Sequence, residues 1–170
     1  GSAWTERYGA SNFRVQSNKL QLNVNDGGVS SLHTTSGITS ADYTVSSTIS
    51  FPNKSNMMYA GLSGRRTDAG TSDSNGYMVF VEIYDQLLTL YKRVDGEWTR
   101  LGEYSITLPA STFGTIGLSM EGSTIEALWN GSPVISVSDS TFTSAGSAGP
   151  ITGSGYTMTG IRWDDFSITP

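Results

Sequence analysis

One carboxylate stands where a strand should carry none. Glu82 lies within "SNGYMVFVEIYDQLLTLYKRVDGEWTRLGEY", residues 74–104, with apolar and aromatic residues on either side. A strand that is apolar on both faces holds a charge only if the charge has a partner or points at something. Side chains alternate across a strand. Tyr77, Val79, Val81 and Ile83 therefore share one face, and Met78, Phe80, Glu82 and Tyr84 share the other. The first set is apolar apart from a phenolic hydroxyl and is the core side, so Glu82 looks outward between Phe80 and Tyr84. The same parity in "YAGLSGR" turns Ala60 and Leu62 inward and Tyr59, Ser63 and Arg65 outward. If the two strands are neighbours, Arg65 reaches Glu82. Two readings then stand side by side. In one, the guanidinium and carboxylate grip paired hydroxyls of a ligand while aromatic rings cover the apolar face of its ring. In the other, the pair is a cross-strand ion pair contributing about 0.2–1 kcal/mol and no function.

Trp98, just past the Asp95-Gly96 pair, is a rim candidate for the same face, where the ligand would sit if the Arg65–Glu82 pair were inert. Tyr91 and Lys92 exchange faces with a one-residue slip in register, so either could meet the ligand. Trp129 shares parity with Ile125 and Ala127 and reads as core. His33 in "SSLHTT" has neither a cysteine nor a Gly-x-Ser-x-Gly elbow to serve as base for, and reads as an inert strand histidine. Asp164 in "IRWDDFSI" shares parity with Phe166 and Ile168 and points inward near a strand end. Backbone N–H groups would satisfy it there, for no cluster of three acids accompanies it.

The elements that must position these groups are β throughout. "NFRVQSNKLQLNV" alternates around a Ser-Asn break, and "DYTVSSTISF" alternates again. The glycines of "MMYAGLSGR" imply close backbone approach or a bulge. A tight turn falls near Asp85-Gln86, and Asp95-Gly96 and Asn130-Gly131 are hairpin dipeptides. "SAGSAGPITGSG" reads as a small-residue loop and "GIRWDDFSI" as a closing strand. Eleven or twelve short strands, with no segment of helical period, predict an antiparallel sandwich or barrel.

Composition agrees. The chain has 170 residues, 36% hydrophobic and 15% charged, enough for one domain with a sizeable core. Gly1 and Ser2 read as a cloning scar, and residues 3–170 as a single domain excised from a larger protein. The net charge of −5 with no basic patch beyond Arg65-Arg66 and Lys92-Arg93 argues against nucleic acid. No apolar run reaches the length of a membrane helix, so membrane insertion is not expected. The absence of cysteine excludes disulfides and thiolate chemistry.

The succession "AGLSGR", "GYMVFVEIYDQLLTLYKRVDGEW", "STIEALWNGSPVISVSDSTFTSAGSAG" and "IRWDDFSI" resembles the concanavalin A-like, laminin G-like jelly roll across residues 13–169. It is similar to the versions found in phage tail proteins and attached to secreted glycosidases. The resemblance implies a two-sheet all-β sandwich whose concave face, or its rim loops, binds a polysaccharide or cell-surface glycan. The setting it implies is extracellular or virion-associated, as part of a larger tail or secreted protein. Tyr59, Arg65, Phe80, Glu82, Tyr84 and Trp98 become the candidate ligand-binding residues. Relatives hold structural calcium with an acid from a terminal Asp-Asp strand, which makes Asp164 the metal candidate, with Asp26 and Asp139 as partners if the fold brings them near. No cofactor is otherwise required. The jelly-roll glucanases carry Glu-x-Asp-x-x-Glu on one strand. Here "EIYDQLL" places the Asp one position late and a Leu where the second Glu belongs, so no catalytic residue is expected. A structural or protein-interaction domain is the alternative, and a glycoside hydrolase the third reading.

Overall fold

The computed structural model describes residues 5–6, 13–23, 29–36, 38–52, 59–67, 75–108, 113–153 and 160–170. Among them are fourteen strands and no helix. A front sheet contains β1 (Thr5–Glu6), β4 (Ser30–His33), β13 (Ser147–Thr152), β6 (Tyr59–Thr67), β7 (Asn75–Glu82), β8 (Leu87–Val94) and β9 (Glu97–Ser105), in that spatial order. A back sheet runs β12 (Ser132–Ser138), β11 (Thr124–Trp129), β10 (Phe113–Glu121), β5 (Tyr43–Ser50), β14 (Arg162–Thr169), β3 (Lys19–Leu22) and β2 (Phe13–Gln16). All pairings are antiparallel. This is the expected jelly-roll sandwich.

The core lies between the sheets. Leu62, Val79, Val81 and Leu90 from the front meet Val45, Ile116, Leu118 and Ile125 from the back. Strand β5 alternates buried and half-buried residues along its whole length, as a strand with one face on the core must. Strand β7 differs, for every residue after Asn75 is buried. Its inward set belongs to the main core, while Met78 and Phe80 join Ile151 in a second apolar cluster on the sheet's other face, with Val29, Tyr59 and Tyr91 packed around it. That outer cluster is the frame of the site.

The hairpin dipeptides behave as read. Asp95 and Gly96 have φ of 50° and 88°, and Asn130 and Gly131 have 51° and 82°, the paired left-handed conformations of a two-residue turn. Ser17 and Asn18, at 53° and 62°, join β2 to β3 in the same way. The expected small-residue loop is corrected. Residues 147–152 form β13, a buried strand between β4 and β6. Its small residues serve close approach, since a Cβ on Gly149 would sit 2.0 Å from the Leu32 carbonyl oxygen.

Candidate functional site

On the outer face of the front sheet, Tyr59, Phe80, Tyr91, Trp98 and Gly153 line an open pocket of about 210 Å³. Three of the rings support one another. Phe80 and Tyr91 centroids lie 6.1 Å apart, Phe80 and Trp98 5.8 Å, and Tyr91 and Trp98 5.9 Å with their planes at 89°. Such edge-on contacts fix ring orientation before any ligand arrives. Gly153 closes the pocket against Tyr59, where a Cβ would stand 2.6 Å from the tyrosine Cβ.

Glu82 stands at the end of this pocket, register partner of Tyr59 across β6 and β7. It is 8% exposed. The Thr89 hydroxyl donates to its Oε1 at 2.8 Å and the Tyr91 phenol at 3.5 Å. Its other oxygen meets no donor among the described residues. Burial, and then the charge of Glu82, raise the Tyr91 phenol above its usual range and keep it a neutral donor. The parity argument for Phe80 and Glu82 therefore holds.

Arg65 does not join them, and the reason is a bulge. The register between β6 and β7 shifts between Gly64 and Thr67, and Arg65 itself takes φ 45°. One extra residue reverses the parity, so Arg65 turns into the protein. It is 1% exposed. Its Nε donates to the Ala41 carbonyl at 2.8 Å, and Nη1 donates to the Gly122 and Phe142 carbonyls at 2.8 and 2.9 Å. Nη2 meets Asp42 Oδ1 at 3.1 Å. The expected Arg65–Glu82 pair is thus corrected in both its readings: Arg65 clamps loops on the core side. Tyr84 also stays apart, because β7 ends at Glu82 and Tyr84 follows in the turn, 61% exposed.

The bulge delivers Arg66 to the outer face instead. Its Nη1 donates to His33 Nε2, and the Ser31 hydroxyl lies 2.9 Å from the same nitrogen. Arg93 approaches from β8, its guanidinium carbon 4.9 Å from the Trp98 ring centre and its Nε donating to the Gly96 carbonyl. Burial, reinforced by the nearby Arg93 charge, lowers the Arg66 pKa to about 9. Next along the face, Arg100 pairs with Glu103 at 2.6 Å. The sequence assigns Arg65 to the ligand and gives Arg66 no role beyond membership of a basic pair. The glycines of "YAGLSGR" carried the signal, since a strand with a bulge loses its parity beyond it.

The rest of the sequence candidates fall as follows. Trp98 lines the pocket, and Tyr91, whose face register left open, joins it. Lys92 faces the other way and meets Asp139 Oδ2 at 2.6 Å. Trp129 is half-buried against the core. His33 is buried on the outer face beside Arg66. Asp164 is answered by Lys19 at 2.6 Å rather than turned inward, because β14 carries its own register shift beginning at Asp164. Asp26 lies outside the described residues. No group of three metal-capable side chains occurs among the described residues.

No family model and no curated protein matches the sequence. Solved structures do match. The carbohydrate binding module CBM66 from Bacillus subtilis is 19% identical with a TM-score of 0.80, the match covering 98% of this chain and 95% of that one. The exoplasmic/lumenal domain of VIP36, in a form bound to calcium and Man3GlcNAc, is 10% identical with a TM-score of 0.71, covering 98% and 82%. A native glycosidic hydrolase is 10% identical with a TM-score of 0.68, covering 94% and 81%. Identities this low establish the shared architecture, and by that measure the chain has a two-sheet, concanavalin A-like jelly-roll fold.

Proposed function

We propose that the chain is a non-catalytic carbohydrate-binding module that seats one sugar residue in the pocket of Tyr59, Phe80, Tyr91 and Trp98. The observation that carries this is Glu82. A carboxylate held at Oε1 by Thr89 and Tyr91, its second oxygen meeting no donor among the described residues, stands beside an aromatic pocket. Sugars present an apolar ring face and a row of hydroxyl donors, and this pairing offers both a ring stack and a charged acceptor. A solved structure named as a carbohydrate binding module, and another holding Man3GlcNAc, support the same use of the fold. Glycoside hydrolysis needs two carboxyl groups facing across one bond, whereas the described lining of this pocket carries no carboxyl group and Glu82 stands beside it, bonded to Tyr91. The wider setting, an extracellular or virion-associated part of a phage tail or secreted protein, rests on the sequence resemblance.

The pocket is smaller than the roughly 300–1,000 Å³ typical of drug-sized sites, so affinity for a single unit should be modest. A glycan array, followed by calorimetry on the best hit, tests the reading. Glu82→Gln and Trp98→Ala should each weaken binding about tenfold or more, as expected for loss of a charge-assisted bond or a stacking face. Trp98 is 39% exposed, so its replacement should leave the fold intact. Unchanged affinity in both variants would remove the pocket from the site. Failure to bind any glycan would favour the protein-interaction reading.

A further inference from the structure

Two further charged side chains share the outer face of the front sheet with the pocket, and a bulge puts them there. Arg100 and Glu103 lie three residues apart on β9, and on a regular strand such spacing sends side chains to opposite faces. The register between β8 and β9 shifts between Leu90 and Tyr91, so that Leu90 pairs with Gly102 and Tyr91 with Arg100. Leu101 is the extra residue. It packs against the core, and Gly102 beside it closes on Ile135, where a Cβ would stand 2.5 Å from Ile135 Cγ2. Two consecutive residues thus look inward, while Arg100 and Glu103 on either side of them look outward, with Nη1 and Oε2 2.6 Å apart.

The register fixes where this pair stands relative to the pocket. Tyr59 is paired with Glu82 on the next strand, Phe80 with Thr89, and Tyr91 with Arg100. The aromatic stripe of the pocket is therefore accompanied by a polar stripe displaced from it by one strand, about 4.8 Å. Thr89 ties the stripe together, since it donates to Glu82 and is the register partner of Glu103. At the β9 edge the stripe ends on the ion pair, both members 52% exposed. Among the described residues, Arg100 Nε and Nη2 meet no acceptor and Glu103 Oε1 meets no donor. An exposed ion pair adds little to stability, and a bulge gives up a ladder position. A bulge on an edge strand also discourages pairing with another chain, but that role is indifferent to which side chains it turns outward.

We propose that Arg100 and Glu103 form a second subsite, holding the sugar unit next to the one seated in the aromatic pocket. The ligand is then a neutral saccharide of at least two units, laid from the pocket across β9 with its second ring over the ion pair. The free guanidinium edge donates to hydroxyl oxygens and the carboxylate accepts from a hydroxyl, while the two charges offset each other and favour no net charge on the sugar. This inference rests on the glycan-binding reading above and adds the length of the ligand and the residues that read it.

The test is calorimetry with the disaccharides of the cello-, xylo-, manno-, galacto- and fructo-oligosaccharide series, each against the methyl glycoside of its single unit. In at least one series the disaccharide should bind about fivefold or more tightly, less than a buried charge-assisted bond would give because both groups are half-exposed. Arg100→Ala and Glu103→Ala should each cut that gain to about twofold or less. Both side chains project from the sheet edge, so the variants should fold. Equal affinity for methyl glycoside and disaccharide would overturn the second subsite and leave the glycan-binding reading standing. So would a loss of equal size for both ligands in the variants, which would place the pair at the first unit, or a gain that survives in both variants. Absence of binding to every saccharide here and on the glycan array would remove both readings.

Discussion

Replacing Arg65 by methionine should destabilise the protein severely without touching ligand recognition directly. Methionine is similarly long and apolar, so packing is largely kept and the loss falls on the polar contacts. Arg65 donates to three backbone carbonyls, from Ala41, Gly122 and Phe142, all within 2.9 Å. Hydrogen bonds to a charged group contribute about 1.5–3 kcal/mol each. The fourth contact, Asp42, is 56% exposed and adds little. Taking the lower figure for each carbonyl, since water can reach parts of these loops once they loosen, the loss is about 4.5 kcal/mol. Against a stability of about 5–15 kcal/mol for a typical domain, that is a large share. With a urea m-value of about 2 kcal/mol per molar, the unfolding midpoint should fall by about 2 M. Equilibrium urea denaturation followed by tryptophan fluorescence measures it, and the folded fraction at low denaturant should bind glycan as the parent does. A midpoint shift below about 0.5 M, or a specific loss of binding at full stability, would refute the assignment of Arg65 to the scaffold.

Two further predictions concern the acids. Asp139 is pushed up by burial but more strongly held down by hydrogen bonds from Lys92, Thr141 and Tyr77, so its folded pKa lies well below the usual 3.8. A depressed carboxylate contributes stability that is present above its unfolded pKa and lost as pH falls towards its folded value. Melting temperature should therefore drop between about pH 5 and pH 2, and Asp139→Asn should flatten that drop while lowering stability at pH 7; an unchanged acid limb in the variant would assign the loss to other groups. Calcium is the other case. Asp164 and Asp139 are each matched by a lysine at 2.6 Å, so exhaustive chelation with EGTA is expected to leave the melting temperature unchanged, and a fall of several degrees would place a structural ion elsewhere in the molecule.

The sandwich was legible because its signals are local. Alternation in β5 and the Asp95-Gly96 and Asn130-Gly131 turns each declare themselves within a few residues. Strand β13 was not, because the reason for its small residues is long-range. Gly149 is glycine so that Leu32, far away in sequence, can pair closely beside it, and composition alone cannot distinguish that from a loose loop. The same holds for Asp164, whose partner Lys19 comes from the opposite end of the chain.

The site shows how far parity carries. Counting by twos along β7 is sound because that strand is regular from Asn75 to Glu82, and it placed Phe80 and Glu82 on the correct face. On β6 the same count is sound from Tyr59 to Ser63 and fails at Arg65, one residue past Gly64, where the register shifts. The error is not a small displacement. A single extra residue exchanged the two arginines of "GRR": the one expected at the ligand became the clamp between Ala41, Gly122 and Phe142, and its neighbour is buried on the outer side of the sheet beside His33 and Arg93. Adjacent residues in a strand look to opposite sides, so a bulge beside a charged pair decides which charge turns to the core and which to the outer side of the sheet. The left-handed backbone at Arg65 carries a conformational cost that a glycine would avoid. Glycine there would forfeit the clamp on three carbonyls, and moving the bulge by one residue would send Arg66 inward and empty the outer face of its unmet donor.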